Sequence, residues 1–245
     1  MPYKINPLKE SVLITFLKEV SEVIKRSQDV ENECYTNDEV HRCFGQIRKQ
    51  ISLQKHGLEL FFGKWKSLKH LSTQELSDLS GNCMELQRRT FVMSMGIIEW
   101  NVREEISSSS FNELKRCLNH TSEVIEEFDV VYSNLCKKGQ EKLQEIRKKI
   151  KKLPTLDPIT RIIEKSKSLD LIDQDTSQAW TFLVKIRNWA IHNGGKPDKD
   201  QTLTYRGKNY NFQKNQEIQA ILGYYTELSF EAKNCFKIWL EGFKK

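Results

Sequence analysis

Residues that break helices are scarce in this chain, and this scarcity constrains its fold more than any other feature. The 245 residues include five prolines and 11 glycines, and away from the ends only Pro154 and Pro158 form a close pair. Elsewhere, apolar residues recur at spacings of three and four, which is typical of amphipathic helices. The sequence therefore predicts an all-α protein.

Interruptions in this apolar periodicity predict where the individual helices begin and end. Ser72 or Thr73 is the expected N-cap of the third helix, and the stretch SSSSFNEL, from Ser107, reads as a linker before the fourth. Alternating Thr and aromatic residues around Gly207 predict a small hairpin or ordered loop near 202–212. The predicted helices cover about 8–28, 37–62, 74–106, 122–152, 158–168, 177–193 and 216–243.

The composition is that of a soluble globular protein, with 38% hydrophobic and 29% charged residues. No apolar run approaches the roughly 20 residues that span a bilayer, and the N-terminus lacks the apolar core of a signal peptide. We therefore expect a cytoplasmic protein without a membrane partner.

Six cysteines are scattered without a CxxC pair, which favours reduced thiols over disulfides or a zinc site. Cys117 and His120 have a spacing found among metal ligands, but no second pair accompanies them. The sequence also lacks the glycine-rich phosphate loops and the hydrolase signatures of common enzymes. Neither a metal nor a cofactor is predicted.

Positive charge is concentrated in one predicted helical segment, residues 137–152. This segment holds eight Lys or Arg residues and two Glu residues, so its net charge of +6 equals that of the whole chain. A basic helix of this kind matches a phosphate backbone, and RNA is one interpretation. A solvated helix face with charge pairs four residues apart is the other.

The segment KIRNWAIHNGG, from Lys185, places polar residues inside an otherwise apolar helix. At about 100° per residue, apolar side chains lie on both sides of one polar stripe. We therefore expect the helix to be buried on two sides, against its own domain and against a further surface such as a second copy of the chain. The stripe consists of four residues: Thr181, Lys185, Asn188 and His192.

Arg187 falls outside this stripe, about 100° from Asn188. Its guanidinium needs an anion, or it must extend outward along its long stem. His192 lies in the last predicted turn, where a histidine also stabilises a helix through the helix dipole, and the following glycines are ordinary for a helix end. Structural roles for Arg187 and His192 therefore stand beside functional ones.

At these residues the chain resembles the HEPN (higher eukaryotes and prokaryotes nucleotide-binding) family, whose signature is Arg, a polar residue, a short apolar spacer and His. Here the signature reads Arg187, Asn188, the apolar residues 189–191 and His192. The resemblance covers about residues 120–245. It implies a helical bundle of HEPN type at 111–245, and the helical region 1–110 becomes an N-terminal elaboration of unassigned role.

The resemblance implies a metal-independent endoribonuclease in which the RNA 2′-OH attacks the neighbouring phosphate. His192 would act as the acid or base, Arg187 would stabilise charge on the phosphorane, and Asn188 would orient the phosphate or fix the His192 tautomer. Lys185 is a further candidate for RNA contact. The basic segment would guide RNA through four lysines: Lys148, Lys149, Lys151 and Lys152.

The resemblance also implies a homodimer with the 177–193 helix at or near its interface, acting in bacterial defence, antiviral defence included, or in a toxin–antitoxin pair with an inhibitory or activating protein partner. Two alternatives remain open. The chain could be a catalytically silent helical dimer that binds RNA or protein as a scaffold. It could also be an unrelated helical regulator in which the spacing of Arg187 and His192 arose by chance.

Overall fold

A computed structural model describes residues 7–36, 41–63, 70–151, 158–218 and 225–245 of the chain. Over these ranges the protein is mostly helical, with one two-stranded antiparallel sheet, which confirms the predicted all-α class. The helices are α1 (Pro7–Thr36), α2 (Arg42–Gly63), α3 (Thr73–Ser108), α4 (Asn112–Ser133), α5 (Lys137–Lys151), α6 (Pro158–Ser168), α7 (Gln174–His192) and α8 (Tyr225–Phe243). The strands are β1 (Gln201–Tyr205) and β2 (Lys208–Phe212).

Local sequence signals set several of these boundaries. Ser72 caps α3: its hydroxyl accepts from the Glu75 N–H, while the Glu75 carboxylate accepts from the Ser72 N–H. The predicted hairpin is present, and both residues of its turn, Arg206 and Gly207, have positive φ. Such a two-residue turn matches the twist of the strands that it joins.

The single helix predicted over 122–152 is wrong. The chain forms α4 from Asn112 and begins α5 at Lys137, with a break at Asn134–Cys136. At the break, the Gln140 side chain donates to the carbonyl oxygen of Tyr132 at 3.2 Å. No proline marks this position, but Asn134, Gly139 and the lack of an apolar side chain over 137–142 do, and the predicted single helix did not take these signals into account.

The largest hydrophobic cluster joins the C-terminal end of α1, much of α2 and α3, the start of α4, and α6, α7, α8 and the hairpin. It therefore contains residues on both sides of position 110. A smaller cluster fills the space between the first half of α1, the end of α2 and the start of α3. The same buried cluster spans the predicted boundary at 110. The division of the chain into two regions there stays a prediction.

Helix α7 lies inside the main cluster, with α3, α6 and α8 packed around it. The hairpin covers a further side: the Phe182 ring stacks on Tyr205 at 4.8 Å between centroids, and Trp189 meets Phe212 edge to face at 5.1 Å. The helix is indeed buried on two sides. However, the chain itself supplies both surfaces, so the second apolar side gives no support for a dimer.

Close backbone packing fixes the far end of α8 against the turn that precedes α7. A Cβ atom at Gly242 would lie 2.1 Å from the Leu171 carbonyl oxygen, so only glycine fits there.

None of the helices in the described ranges is both long enough and apolar enough to cross a membrane. All six cysteines are free thiols, and four of them are buried: Cys34, Cys43, Cys83 and Cys235.

Candidate functional site at the end of α7

Helix α7 is held at both ends by hydrogen bonds that its sequence provides. At its start, Asp173 accepts from the Thr176 N–H at 2.7 Å. At its end, the N–H groups of Asn193 and Gly195 both donate to the Trp189 carbonyl oxygen at 3.0 Å. This wrapping requires positive φ at Gly194 (61°) and Gly195 (83°), which explains the two glycines after the motif.

Arg187 forms a short ion pair with Glu99 of α3, and both side chains are only 15% exposed. Of the two outcomes expected for Arg187, an anion or an outward extension, the structure shows an anion, and it is a carboxylate of the same chain. Sequence reasoning missed Glu99, although it is the lone acid in the apolar stretch FVMSMGIIEW, and such isolation was a usable signal. A buried acid needs a partner, and Arg187 supplies one.

His192 and Arg187 face different directions on α7. They are five positions apart, which on a straight helix separates them by about 140°. The His192 side chain is exposed, and it shares its stripe with exposed Lys185 and half-buried Asn188. The structure thus brings His192, Asn188 and Lys185 to one side of α7, as the helical positions had indicated, and it pairs Arg187 with Glu99 of α3.

Two further side chains border the turn after His192, and neither was predicted. Arg88 of α3 donates from Nη1 to the Ala190 carbonyl oxygen at 3.1 Å, so it satisfies one of the free carbonyls at the end of α7. A Cβ atom at Gly195 would lie 2.9 Å from the Tyr225 hydroxyl. Burial raises the pKa of Tyr225, and the positive charge of Arg88 opposes this rise.

The basic segment lies on α5, at a distance along the chain from these residues. Lys148, Lys149 and Lys151 belong to α5, but their side chains are not among those that the structure describes, and Lys152 lies outside the described residues. Among the described lysines of α5, all three are exposed: Lys137, Lys138 and Lys142. In the described part of the chain, α5 packs mainly on α4.

In the part of the chain that the structure describes, no three His, Cys, Asp or Glu side chains are grouped so that they could hold a metal ion.

Comparison of the chain with family models, with curated proteins and with solved structures finds no match. Function must therefore be inferred from the residues at the end of α7 and from the resemblance that they carry.

Proposed function

We propose that this protein is a metal-independent endoribonuclease of HEPN type, with a site composed across a homodimer. One observation carries this proposal: His192 is exposed at the end of a helix that packing fixes on its other sides, and Asn188 and Lys185 lie on the same stripe. A core histidine would be buried, whereas an imidazole on a rigid support and open to solvent can meet a substrate.

The proposed reaction needs only proton transfer and charge stabilisation. A neutral His192 accepts the 2′-OH proton as the 2′-oxygen bonds to phosphorus, and the bond from phosphorus to the 5′-oxygen breaks. An imidazolium then protonates the departing 5′-oxygen, so the products are a 2′,3′-cyclic phosphate and a 5′-OH. Histidine suits both steps because its ordinary pKa lies near neutrality.

The ion pair of Arg187 with Glu99 is compatible with a role in binding phosphate. A guanidinium presents five N–H donors in a planar fork, so one edge can hold Glu99 while another faces a phosphoryl oxygen. Glu99 would then orient Arg187 without neutralising its whole hydrogen-bonding capacity. We assign Glu99 as a positioning residue in this scheme.

A second copy of the chain is needed because Arg187 and His192 diverge on one helix. Exposed apolar side chains on the two helices that the ion pair joins support such a contact: Met93 and Trp100 of α3 are 51% and 63% exposed, and Ile191 of α7 is 46% exposed. We expect sedimentation analysis to show a dimer for the wild type and a monomer for Trp100→Glu. Leu53→Glu, at an exposed leucine on α2, is the control and should remain dimeric.

The cleavage test uses end-labelled RNA in excess EDTA with the wild type, His192→Ala and His56→Ala. His56 is an exposed histidine on α2 and serves as the matched control. Cleavage by the wild type and His56→Ala, but not by His192→Ala, with 2′,3′-cyclic phosphate ends, is the expected result. Equal cleavage by all three proteins would assign the activity to a contaminant or to other residues.

A catalytically silent scaffold is the second candidate, and the same ion pair favours it, because a guanidinium held by Glu99 can be purely structural. A scaffold binds RNA or a protein without cleaving RNA under any of these conditions. If the enzyme reading holds, the resemblance suggests a cytoplasmic protein acting in bacterial defence or in a toxin–antitoxin pair, with a protein partner that controls it.

A further inference from the structure

A cleft of about 530 Å³, lined by both polar and apolar side chains, lies between α6, α7 and β1, and its volume is typical of small-molecule sites. Its α7 wall includes Ser177, Gln178 and Thr181, and its β1 wall runs along Thr202, Leu203 and Thr204. Nothing in the reaction proposed above uses this cleft. We propose that it binds an unpaired nucleobase of the RNA substrate, an inference that rests on the proposed ribonuclease function.

The α7 wall of the cleft adjoins the stripe of the candidate catalytic residue, since Thr181 belongs to both. Gln178, Thr181, Lys185, Asn188 and His192 all fall within a sector of about 80° on the helix. From Thr181 to His192 the helix rises about 16 Å. A base bound in the cleft would thus belong to a nucleotide near the scissile phosphate, on the same side of α7.

The Thr202 and Thr204 hydroxyls of the cleft already donate to Asn211 and Asn209, but other groups of the cleft can bind a ligand. Among the described residues, the side chains of Gln178 and Thr181 have no hydrogen-bond partner. In the hairpin, Tyr205 and Lys208 flank a two-residue turn and form a hydrogen-bonded pair, so the N–H and C=O groups of Thr202 and Thr204 point away from β2. These outward groups lie along the cleft and offer donors and acceptors side by side.

Charge favours a base over a phosphate in this cleft. Its two charged lining residues, Glu164 and Lys167, cancel each other. At the adjacent N-terminus of α7 the Asp173 carboxylate already accepts from the Thr176 N–H, and its negative charge disfavours a phosphate there. Uncharged amides, hydroxyls and main-chain groups instead match the edge of a nucleobase, which carries both donors and acceptors.

An extended peptide is the competing occupant, because exposed strand edges can accept a further strand. Among the lining residues of the cleft, only Thr202 and Thr204 offer outward main-chain groups, and these two residues are about 6.6 Å apart along the strand. Two residues give too short a ladder for strand addition, but they suffice for one planar base. The observations therefore favour RNA.

The test measures the binding of short fluorescein-labelled oligo(A), oligo(C) and oligo(U) to the His192→Ala protein, which cannot cleave them under the proposed mechanism. We expect one oligonucleotide to bind about tenfold more tightly than the weakest, since one good set of base contacts gives a factor of that order. Adding Gln178→Leu with Thr181→Val should reduce the preference to within about twofold and leave the weakest affinity unchanged. Thr73→Val, an exposed threonine at the start of α3, is the control.

A second readout is amide hydrogen exchange at Thr202 and Thr204, which the preferred oligonucleotide should slow. A preference that survives the double substitution, or RNA binding that leaves this exchange unchanged, overturns the nucleobase site. If wild-type cleavage depends on His192 but the base preference does not depend on the cleft, the proposed function stands and this inference fails. Absence of both cleavage and RNA binding overturns both, and a peptide or another ligand would then have to occupy the cleft.

Discussion

Helices α7 and α5 both carry residues that the sequence assigns to the candidate site, but the rest of the molecule contacts them very differently. Ten residues of α7 are buried, and three helices and the hairpin surround it. In α5, none of the described side chains is buried, and the helix packs mainly on α4. Two segments with similar helical periodicity therefore differ in the structure: α7 is a fixed support, and α5 presents an exposed charged surface.

This difference separates two kinds of function. A reaction that transfers a proton requires a side chain held in a defined position, and α7 can provide that because its packing fixes it. Attraction of a phosphate backbone requires positive charge near the RNA and tolerates small displacements, so a less enclosed helix suffices. The contrast predicts that substitutions in α7 chiefly change stability or chemistry, whereas substitutions in α5 change electrostatics.

The largest expected effect is from Leu183→Ala, a fully buried residue in the middle of α7. The cavity and the lost burial should lower the free energy of unfolding by about 3 kcal/mol. Leu143→Ala on α5, where the side chain is half-buried, should cost less than about 1 kcal/mol. Urea unfolding measures both, and equal costs would break the contrast between the helices.

Glu99→Gln tests the polar contact that joins α7 to α3. Removing the carboxylate charge beside the largely buried Arg187 guanidinium should cost about 2 kcal/mol of stability. Arg89→Gln removes one member of an ion pair with Glu85 in which the arginine is 75% exposed, and it should cost less than about 0.5 kcal/mol. A loss at Glu99 no greater than the loss at Arg89 would show that the Arg187 pair is not a packed contact.

Asp173→Ala removes the N-cap of α7 and should cost about 1 kcal/mol at neutral pH. Hydrogen bonds from Thr176 hold the pKa of Asp173 below its usual value. The stabilisation is therefore complete above the unfolded pKa of about 3.9 and is lost as the pH falls through the lower folded value. Unfolding at a series of pH values should show that the difference in free energy of unfolding between Asp173→Ala and the wild type shrinks in acid. The control is Asp175→Ala, in the same turn, whose free energy of unfolding should differ little from that of the wild type at any pH.

The smallest effect on stability is expected when Lys137, Lys138 and Lys142 of α5 are all replaced by Gln, because all three are exposed. Stability should stay within about 0.5 kcal/mol of the wild type. If α5 binds RNA phosphates, the slope of log affinity against log salt should become shallower by about 2. Three exposed lysines elsewhere, Lys18, Lys25 and Lys49, provide the control triple, and an equal change in slope there would argue against a specific role of α5.

Much of the fold could be predicted from the sequence because helical periodicity and capping are local. The cap at Ser72 and the hairpin around Gly207 follow from residues close to them in the chain. The break between α4 and α5 was missed, although Asn134, Gly139 and the lack of an apolar side chain over 137–142 mark it locally. Gly242, by contrast, carried no local signal, because its constraint comes from Leu171, a residue distant in the chain.

For the candidate site, the sequence alone determined the directions in which the α7 side chains project, because the geometry of one helix fixes the angle between any two of its residues. It thus established that Lys185, Asn188 and His192 share a stripe from which Arg187 diverges. Only the tertiary structure decided which groups meet them: Glu99 pairs with Arg187, Arg88 caps the end of α7, and the hairpin covers its second apolar side. These contacts join residues far apart in sequence, and their position depends on how the elements pack rather than on any local pattern.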